Sequence, residues 1–380
     1  MKKVLIFTAS TGGGHNQAAS SLALKFESYG YEVIVVDILK LNNKIMEKLF
    51  VEGYEILSCS LPTVYRGLYN YSNKKSINVK LSKYIYKIFK TKIYKSISTI
   101  NPDLIVGTHA FIVNIVSGLK EKGKIFIPFI SVVTDFKAHS SYFGECVDAY
   151  VTGSEYTNIG MINEGIPEDK LYCYGIPIRE EFLLNQSSNR DMDNSDRDFT
   201  ILLMGGSMGL KSIEKVLKAL VNCEDRLKII VVCGNNNSLM KRIESEYMKK
   251  FENKEVLVHG FTNDISKLME ESDILISKPG GLTVSEAIAK RLPILIPYML
   301  PGQEEDNAEF LSDSRIAMVV NEIGDIREAI NNLIAEPKSL ENMKINMEKI
   351  SQNYSVDNIV KLGQSLIYKY ALRYKLIGSE

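Results

Sequence analysis

The chain of 380 residues has no tryptophan, four histidines, five cysteines and no net charge. Cys59, Cys146, Cys173, Cys223 and Cys233 are odd in number and form no Cys-x-x-Cys pair. That excludes a disulfide framework and a zinc knuckle and reads as free intracellular thiols. No stretch reaches the ~20 apolar residues of a membrane-spanning helix. The apolar run in the opening MKKVLIFTAS is too short for a signal peptide and flows into a glycine loop. With 45% hydrophobic and 24% charged residues the composition is that of a globular protein, not a disordered one. The charge balance hides an asymmetry. Residues 1–179 carry 21 Lys/Arg against 15 Asp/Glu, and residues 180–380 carry 25 against 31. A basic half and an acidic half imply separate tasks, with an anionic surface facing the first.

The length suits two domains. Apolar runs at 4–7, 33–38, 104–108, 126–134 and 149–152 alternate with helical or loop stretches, a pattern that predicts a parallel sheet with helices on both faces. The segment 186–198 contains a single apolar residue, Met192, and reads as a linker. Beyond it the pattern restarts, with strands expected at 200–204, 227–233, 256–259, 274–277 and 293–297. The chain therefore reads as two doubly wound domains in tandem: 1–185, then 199–355, with a last helix at 356–380. Such sheets bind ligands beyond the carboxyl ends of their strands.

Four loops carry the candidate chemistry. TGGGH (11–15) joins a strand to a helix, where backbone N–H groups meet an anion at the helix start. It has neither the GK[ST] of a phosphate-binding P-loop nor the Gly-x-Gly-x-x-Gly of a dinucleotide site. Asp37, at the end of the second strand, therefore reads as a structural loop residue. His15 is either a general base, kept unprotonated by the helix N-terminus, or a histidine bonded to its own loop. MGGSMG (204–209) offers Gly205, Gly206 and Ser207 to a phosphate. SKPGGLTVSEA (277–287) aims a helix start at the ligand and sets Glu286 one turn inside, either for a ribose diol or as a cap. PGQEEDN (301–307), read as a loop, places polar side chains where sugar hydroxyls would lie. Together the loops favour a nucleotide-sugar. The Asp-x-Asp patterns at 191–193 and 196–198 sit in the linker and read as solvated charge, not a metal site.

The set TGGGH, VVTDF with a following histidine, GIPIR, HGF, KPGGLTVSEA and PGQEEDN resembles the glycolipid synthases of glycosyltransferase family 28, over residues 2 to about 311. These include processive diacylglycerol glucosyltransferases and monogalactosyldiacylglycerol synthases. The resemblance implies a GT-B fold: two Rossmann-like domains facing a central cleft, the N-terminal one for the acceptor and the C-terminal one for a UDP-sugar. It further implies inversion at the anomeric carbon with no cofactor and no required metal, and a last helix that crosses back to the first domain. Carried over residue by residue, His15 and Gly14 belong beside the reacting carbon. Arg179, Gly205, Gly206 and Ser207 contact the diphosphate, and the Phe261 backbone reads uracil. Pro279, Gly280, Gly281, Leu282 and Thr283 form the phosphate-side helix start. Glu286 takes the ribose, and Gln303, Glu304 and Asn307 lie near the sugar. Asp135 is the second candidate base, and His109, His139 and Tyr142 lie near the acceptor. Tyr142 stands where the family often has tryptophan, which leaves acceptor preference open.

Residues 56–102 hold nine Lys/Arg and no acid, interleaved with tyrosines. Lys80, Lys83, Lys87 and Lys90 share one helical side, and Leu81, Ile85, Ile88 and Phe89 the other. Residues 65–95 thus read as a basic amphipathic helix for an anionic membrane surface, extended by Tyr368, Tyr370, Arg373, Tyr374 and Lys375. The rest of the chain shows no nucleic-acid-binding signature. The resulting expectation is a cytoplasmic enzyme on the inner face of the cell membrane, moving a hexose from a UDP-sugar to diacylglycerol. N-acetylglucosaminyl transfer to a polyprenyl-linked acceptor, a non-catalytic UDP-sugar-binding regulator and a UDP-sugar epimerase are the alternatives.

Overall fold

The computed structural model describes residues 1–10, 13–41, 61–184, 197–205, 210–248, 251 and 253–377. Gly206 and Ser207, and most of the polar segment 186–198, lie outside the described residues. Two compact units emerge. The first comprises Met1–Glu180, Pro301–Gln303 and Asn353–Glu380, the second Glu181–Leu300 and Glu304–Gln352. The first unit ends at Glu180 rather than in the linker, because the next turn is already bonded to the second. There Ser266 Oγ donates to the Glu181 carbonyl at 3.0 Å and Lys290 Nζ to the Leu184 carbonyl at 3.1 Å.

In the first unit the order is β1 (Lys3–Thr8), α1 (Gly13–Ser28), β2 (Glu32–Asp37), α2 (Pro62–Asn73), α3 (Lys75–Ile100), β3 (Leu104–Gly107), α4 (Ala110–Glu121), β4 (Phe129–Val132), β5 (Ala149–Val151), α5 (Glu155–Asn163) and β6 (Leu171–Tyr172). The sheet order is β2-β1-β3-β4-β5-β6, parallel throughout. Every residue of β3, β4 and β5 is buried, as a parallel sheet covered on both faces requires. Helix α1 carries Ala18, Ala19, Leu22, Ala23 and Phe26 on one side, and these form its buried face. It ends at Gly30, whose φ of +81° turns the chain so that the Tyr31 N–H reaches the Phe26 carbonyl at 3.2 Å. Helix α3 stops at Asn101, a left-handed cap followed by Pro102.

The second unit runs from a short turn, α6 (Glu180–Leu183), through β7 (Phe199–Met204), α7 (Leu210–Val221), β8 (Leu227–Val232), α8 (Asn237–Tyr247), β9 (Lys254–His259), α9 (Ile265–Glu270), β10 (Ile274–Ser277), α10 (Gly281–Ala289), β11 (Ile294–Ile296), α11 (Gln303–Asp313), β12 (Ala317–Val319), α12 (Ile326–Ala335) and α13 (Pro337–Ser351). Its sheet order is β12-β11-β10-β7-β8-β9, again parallel.

The last helix, α14 (Val356–Ile377), belongs to the first unit. Ser355 N–H bonds the Tyr174 carbonyl at 2.9 Å, and Tyr354 Oη donates to the Gly153 carbonyl at 2.8 Å. The Tyr354 ring lies against Gly175, where a Cβ would come within 2.7 Å of it at a φ of +84°, so only glycine fits. Farther along, Tyr370 donates to Asp148 at 2.7 Å and accepts from Lys120 at 2.9 Å. Tyr370 is thus a buried anchor and not part of an exposed patch, whereas Tyr368 is exposed. The side chains of Tyr374 and Lys375 lie outside the described residues.

Two expectations are corrected here. PGQEEDN is not a loop: after a turn at Pro301–Gly302, Gln303 to Asn307 form the first turn of α11. Glu304, Glu305 and Asp306 favour a helix N-terminus electrostatically, a signal that outweighs the segment's polarity. The single basic helix is two, broken at Lys74, whose extended backbone ends α2 and starts α3.

Candidate functional site

In an open parallel sheet the strand order reverses at one place, leaving a crevice beyond the carboxyl ends of two neighbouring strands. In the first unit that place lies between β1 and β3. His15 enters it from the β1 side, in the first turn of α1, and His109 from the β3 side, as the N-cap of α4. Their rings meet edge to face with centroids 4.5 Å apart.

The two imidazoles hold opposite tautomers. His15 Nδ1 lies 2.9 Å from the Thr108 carbonyl, which only accepts, so Nδ1 carries the proton and Nε2 keeps its lone pair. His109 Nδ1 accepts the Phe111 N–H at 3.1 Å, which leaves the neutral ring's proton on Nε2. Burial pushes the His15 pKa below its ordinary value, partly offset by the Thr108 hydrogen bond. Burial and the charge of His15 hold His109 well below its own. Both rings are therefore neutral at pH 7, with a base at His15 Nε2. The Thr108 hydroxyl also reaches the His15 carbonyl at 3.2 Å, fixing backbone and ring together.

The loop behind His15 is held by a polar network. Thr8 Oγ1 donates to Asn16 at 2.9 Å, Asn16 Nδ2 donates to Ser10 Oγ at 2.9 Å, and Ser10 Oγ donates to Asp37. Asp37 also accepts from Leu39 N–H at 3.0 Å, which is the loop role its sequence context indicated. Gly14 lies within α1, next to His15. Asp135 is 8% exposed and accepts from Gln303 Nε2 at 3.0 Å, both residues grouping with the first unit. His139 caps a short 3-10 turn, with its ring 4.9 Å from that of Tyr69 on α2. Tyr142 is 2% exposed, with its hydroxyl 2.9 Å from Thr134 Oγ1. Arg179 is half-buried in the first unit, just before the chain leaves it.

In the second unit the order reverses between β7 and β10. Gly205 follows β7, and its carbonyl accepts from Tyr298 Oη at 3.4 Å. After β10 come Lys278 and the buried Pro279. Gly280 then sits at the N-cap of α10, with no side chain to satisfy the amides of Gly281, Leu282 and Thr283. An uncapped helix start at a switch point is an anion site in waiting. Glu286, one turn further, is 7% exposed. Phe261 is exposed just beyond β9.

The clasp around this helix start was not foreseen. Glu304 bonds Lys278 through one oxygen and accepts Leu300 N–H at 2.8 Å through the other. Asn307 Nδ2 donates to the Pro279 carbonyl at 3.0 Å and is 1% exposed. Glu304 and Asn307, read in the sequence as sugar contacts, here tie α11 to the segment entering α10. Lys278, Thr108 and Thr134 went unnoticed because a lone lysine or threonine beside a strand end carries no spacing signal.

Comparison with known proteins follows this division. Residues 15–178 match the family model for monogalactosyldiacylglycerol (MGDG) synthase, and residues 200–359 match that for the glycosyltransferase family 28 C-terminal domain. Processive diacylglycerol beta-glucosyltransferase of Bacillus pumilus is 30% identical over 369 residues, which is 95% of this chain and 94% of that one. The protein of the same name from Bacillus subtilis is 28% identical over 381 residues, 97% of each chain. The chain belongs to the family of the processive diacylglycerol beta-glucosyltransferases. Among solved structures, Acinetobacter baumannii MurG superposes with a TM-score of 0.63 at 17% identity, over 96% of this chain and 100% of that one. A UDP-GlcNAc 2-epimerase from Neisseria meningitidis, bound to UDP-GlcNAc, gives 0.58 at 16%, over 97% and 100%. These likenesses carry the fold, the GT-B class that the sequence motifs implied.

The basic stretch at 65–95, expected from its spacing to form one amphipathic side, differs in detail from the sequence reading. Ile85 and Phe89 are buried in the first unit's core along with Ile93 and Ile97, while Leu81 is 43% exposed. Tyr86 packs against that core, with Lys122 Nζ 4.0 Å above its ring. Helix α2 has no buried residue. Leu61, Val64, Leu68 and Tyr71, spaced to share one helical side, are 49 to 53% exposed. Lys80, Lys83, Lys87 and Lys90 are all exposed on α3.

Proposed function

We propose that this chain is an inverting glycosyltransferase that moves a hexose from a UDP-sugar to the free hydroxyl of diacylglycerol. The observation that carries the reading is the near full-length similarity to diacylglycerol glucosyltransferases, with a base-tautomer histidine at one switch point and an uncapped helix start at the other.

His15 Nε2 removes the proton of the lipid hydroxyl as its oxygen attacks the anomeric carbon from the side opposite the leaving group. The new C–O bond forms while the bond from that carbon to the diphosphate breaks, and UDP leaves with the electron pair. The amides of Gly281, Leu282 and Thr283 receive the charge that develops on the diphosphate, with Gly205, Gly206, Ser207 and Arg179 as further contacts. Glu286 accepts the ribose hydroxyls, and the Phe261 backbone reads the uracil. Asp135 is the second candidate for the base, and His109 and His139 border the acceptor. A helix N-terminus and an arginine supply positive charge at the leaving group, so turnover is expected to withstand a chelator.

The exposed side of α2 and the lysines of α3 suit an anionic membrane surface, with apolar residues entering the acyl boundary and each lysine contributing about 1 kcal/mol. Among the described residues no helix is long and apolar enough to cross a membrane. The reading places the enzyme peripherally on the inner face of the cell membrane. The test is UDP release from UDP-glucose and UDP-galactose, with and without diacylglycerol in anionic vesicles. Release that requires diacylglycerol supports the reading, and release indifferent to lipid refutes it.

A further inference from the structure

His15 Nδ1 faces a second oxygen besides the Thr108 carbonyl. Thr134 Oγ1 lies 3.0 Å from it, and Tyr142 Oη lies 2.9 Å from Thr134 Oγ1. Three groups from three parts of the chain thus form one line: His15 at the start of α1, Thr134 in the segment after β4 and Tyr142 in the 3-10 turn that follows. Thr134 is 6% exposed and Tyr142 2%, so neither hydroxyl exchanges its partner for water at no cost.

We propose that Thr134 and Tyr142 are positioning residues for His15, a hydroxyl relay that aims its ring and shares the charge gained when Nε2 takes the acceptor's proton. The inference rests on the reading of His15 as the base. The tautomer argument sets the direction of the relay. With the proton on Nδ1, the Thr134 oxygen accepts part of that N–H, and its own O–H is then directed to Tyr142. An oxygen that donates is a better acceptor, so the two bonds strengthen each other. Imidazolium is a stronger donor than imidazole, so the line stabilises the protonated ring more than the neutral one. Burial and the neighbouring Asp135 keep the Tyr142 phenol protonated. The titratable groups facing the relay are His109, 4.5 Å from His15 ring to ring, and Asp135, bonded to Gln303.

The test uses the full-length enzyme with two readouts, steady-state kinetics and the His15 titration midpoint followed by imidazole NMR. Thr134→Val is expected to lower kcat about 10-fold with little change in KM. It moves both the acidic limb of kcat/KM and the NMR midpoint to lower pH, by roughly half a unit. Thr134→Ser restores both. Tyr142→Phe, which removes a single oxygen, shifts both the same way by a smaller amount and carries the test if Thr134→Val fails to fold. A folded Thr134→Val or Tyr142→Phe enzyme with wild-type kcat and midpoint overturns the relay. A wild-type enzyme that transfers no sugar to lipid refutes the function reading instead, and the NMR midpoint still decides the relay.

Discussion

Glu304 separates two accounts of the sugar-side segment. The side chains of Lys278 and Glu304 are 19% and 11% exposed, and Glu304 also holds Leu300 N–H at 2.8 Å. Removing one partner of a buried pair leaves an uncompensated charge, which costs about 3–5 kcal/mol. Lys278 retains some access to water, so the lower end applies, about 3 kcal/mol for Glu304→Ala. For a unit of this size each kcal/mol moves Tm by roughly 2–4 °C, so the second unit should melt roughly 6–12 °C earlier. A Lys278→Met, Glu304→Gln double variant removes both charges together and recovers most of that loss. Calorimetry of the double variant beside the Lys278→Met and Glu304→Gln single variants gives the coupling directly, and UDP titration shows whether the α10 helix start has moved. If Glu304 only bonded sugar hydroxyls, Glu304→Ala would raise KM for the UDP-sugar while leaving Tm alone. An unchanged Tm with no coupling between the two positions would refute the clasp.

Three further outcomes follow from the same geometry. Glu286→Gln should raise KM for the UDP-sugar about 10-fold, the equivalent of roughly 1.4 kcal/mol, in initial-rate assays. His15 and His109 have folded pKa values below their unfolded value of about 6.5, so between these values the unfolded chain binds more protons. The stability they confer is full above pH ~6.5 and is lost as pH falls, at up to about 1.4 kcal/mol per unit for each ring. Urea unfolding at pH 5 and pH 7 checks this, and His109→Asn should flatten the slope. Leu68→Glu on the open side of α2 should weaken vesicle binding ~30-fold, from about 2 kcal/mol of lost apolar insertion and added repulsion, in a liposome sedimentation assay.

The doubly wound plan was legible because buried parallel strands read as short apolar runs between helical stretches. The edge strands β6 and β12, two and three residues long, were not. Motif glycines marked both switch points, for a strand that ends in glycine before a helix announces its geometry locally. What escaped was long-range. No local pattern links Thr134 or Thr108 to His15 over more than 90 residues of chain, nor Lys278 to Glu304 over 26. Helical spacing found the basic side of α3, but only packing reveals that Phe89 lies in the core and Leu81 does not.

The most direct test is the lipid product itself. Purified enzyme, diacylglycerol in anionic vesicles and either UDP-glucose or UDP-galactose should yield a hexosylated diacylglycerol by mass spectrometry. His15→Ala should form it on the order of 100- to 10,000-fold more slowly. No hexosyl lipid from either donor, or the same rate without His15, would contradict the account.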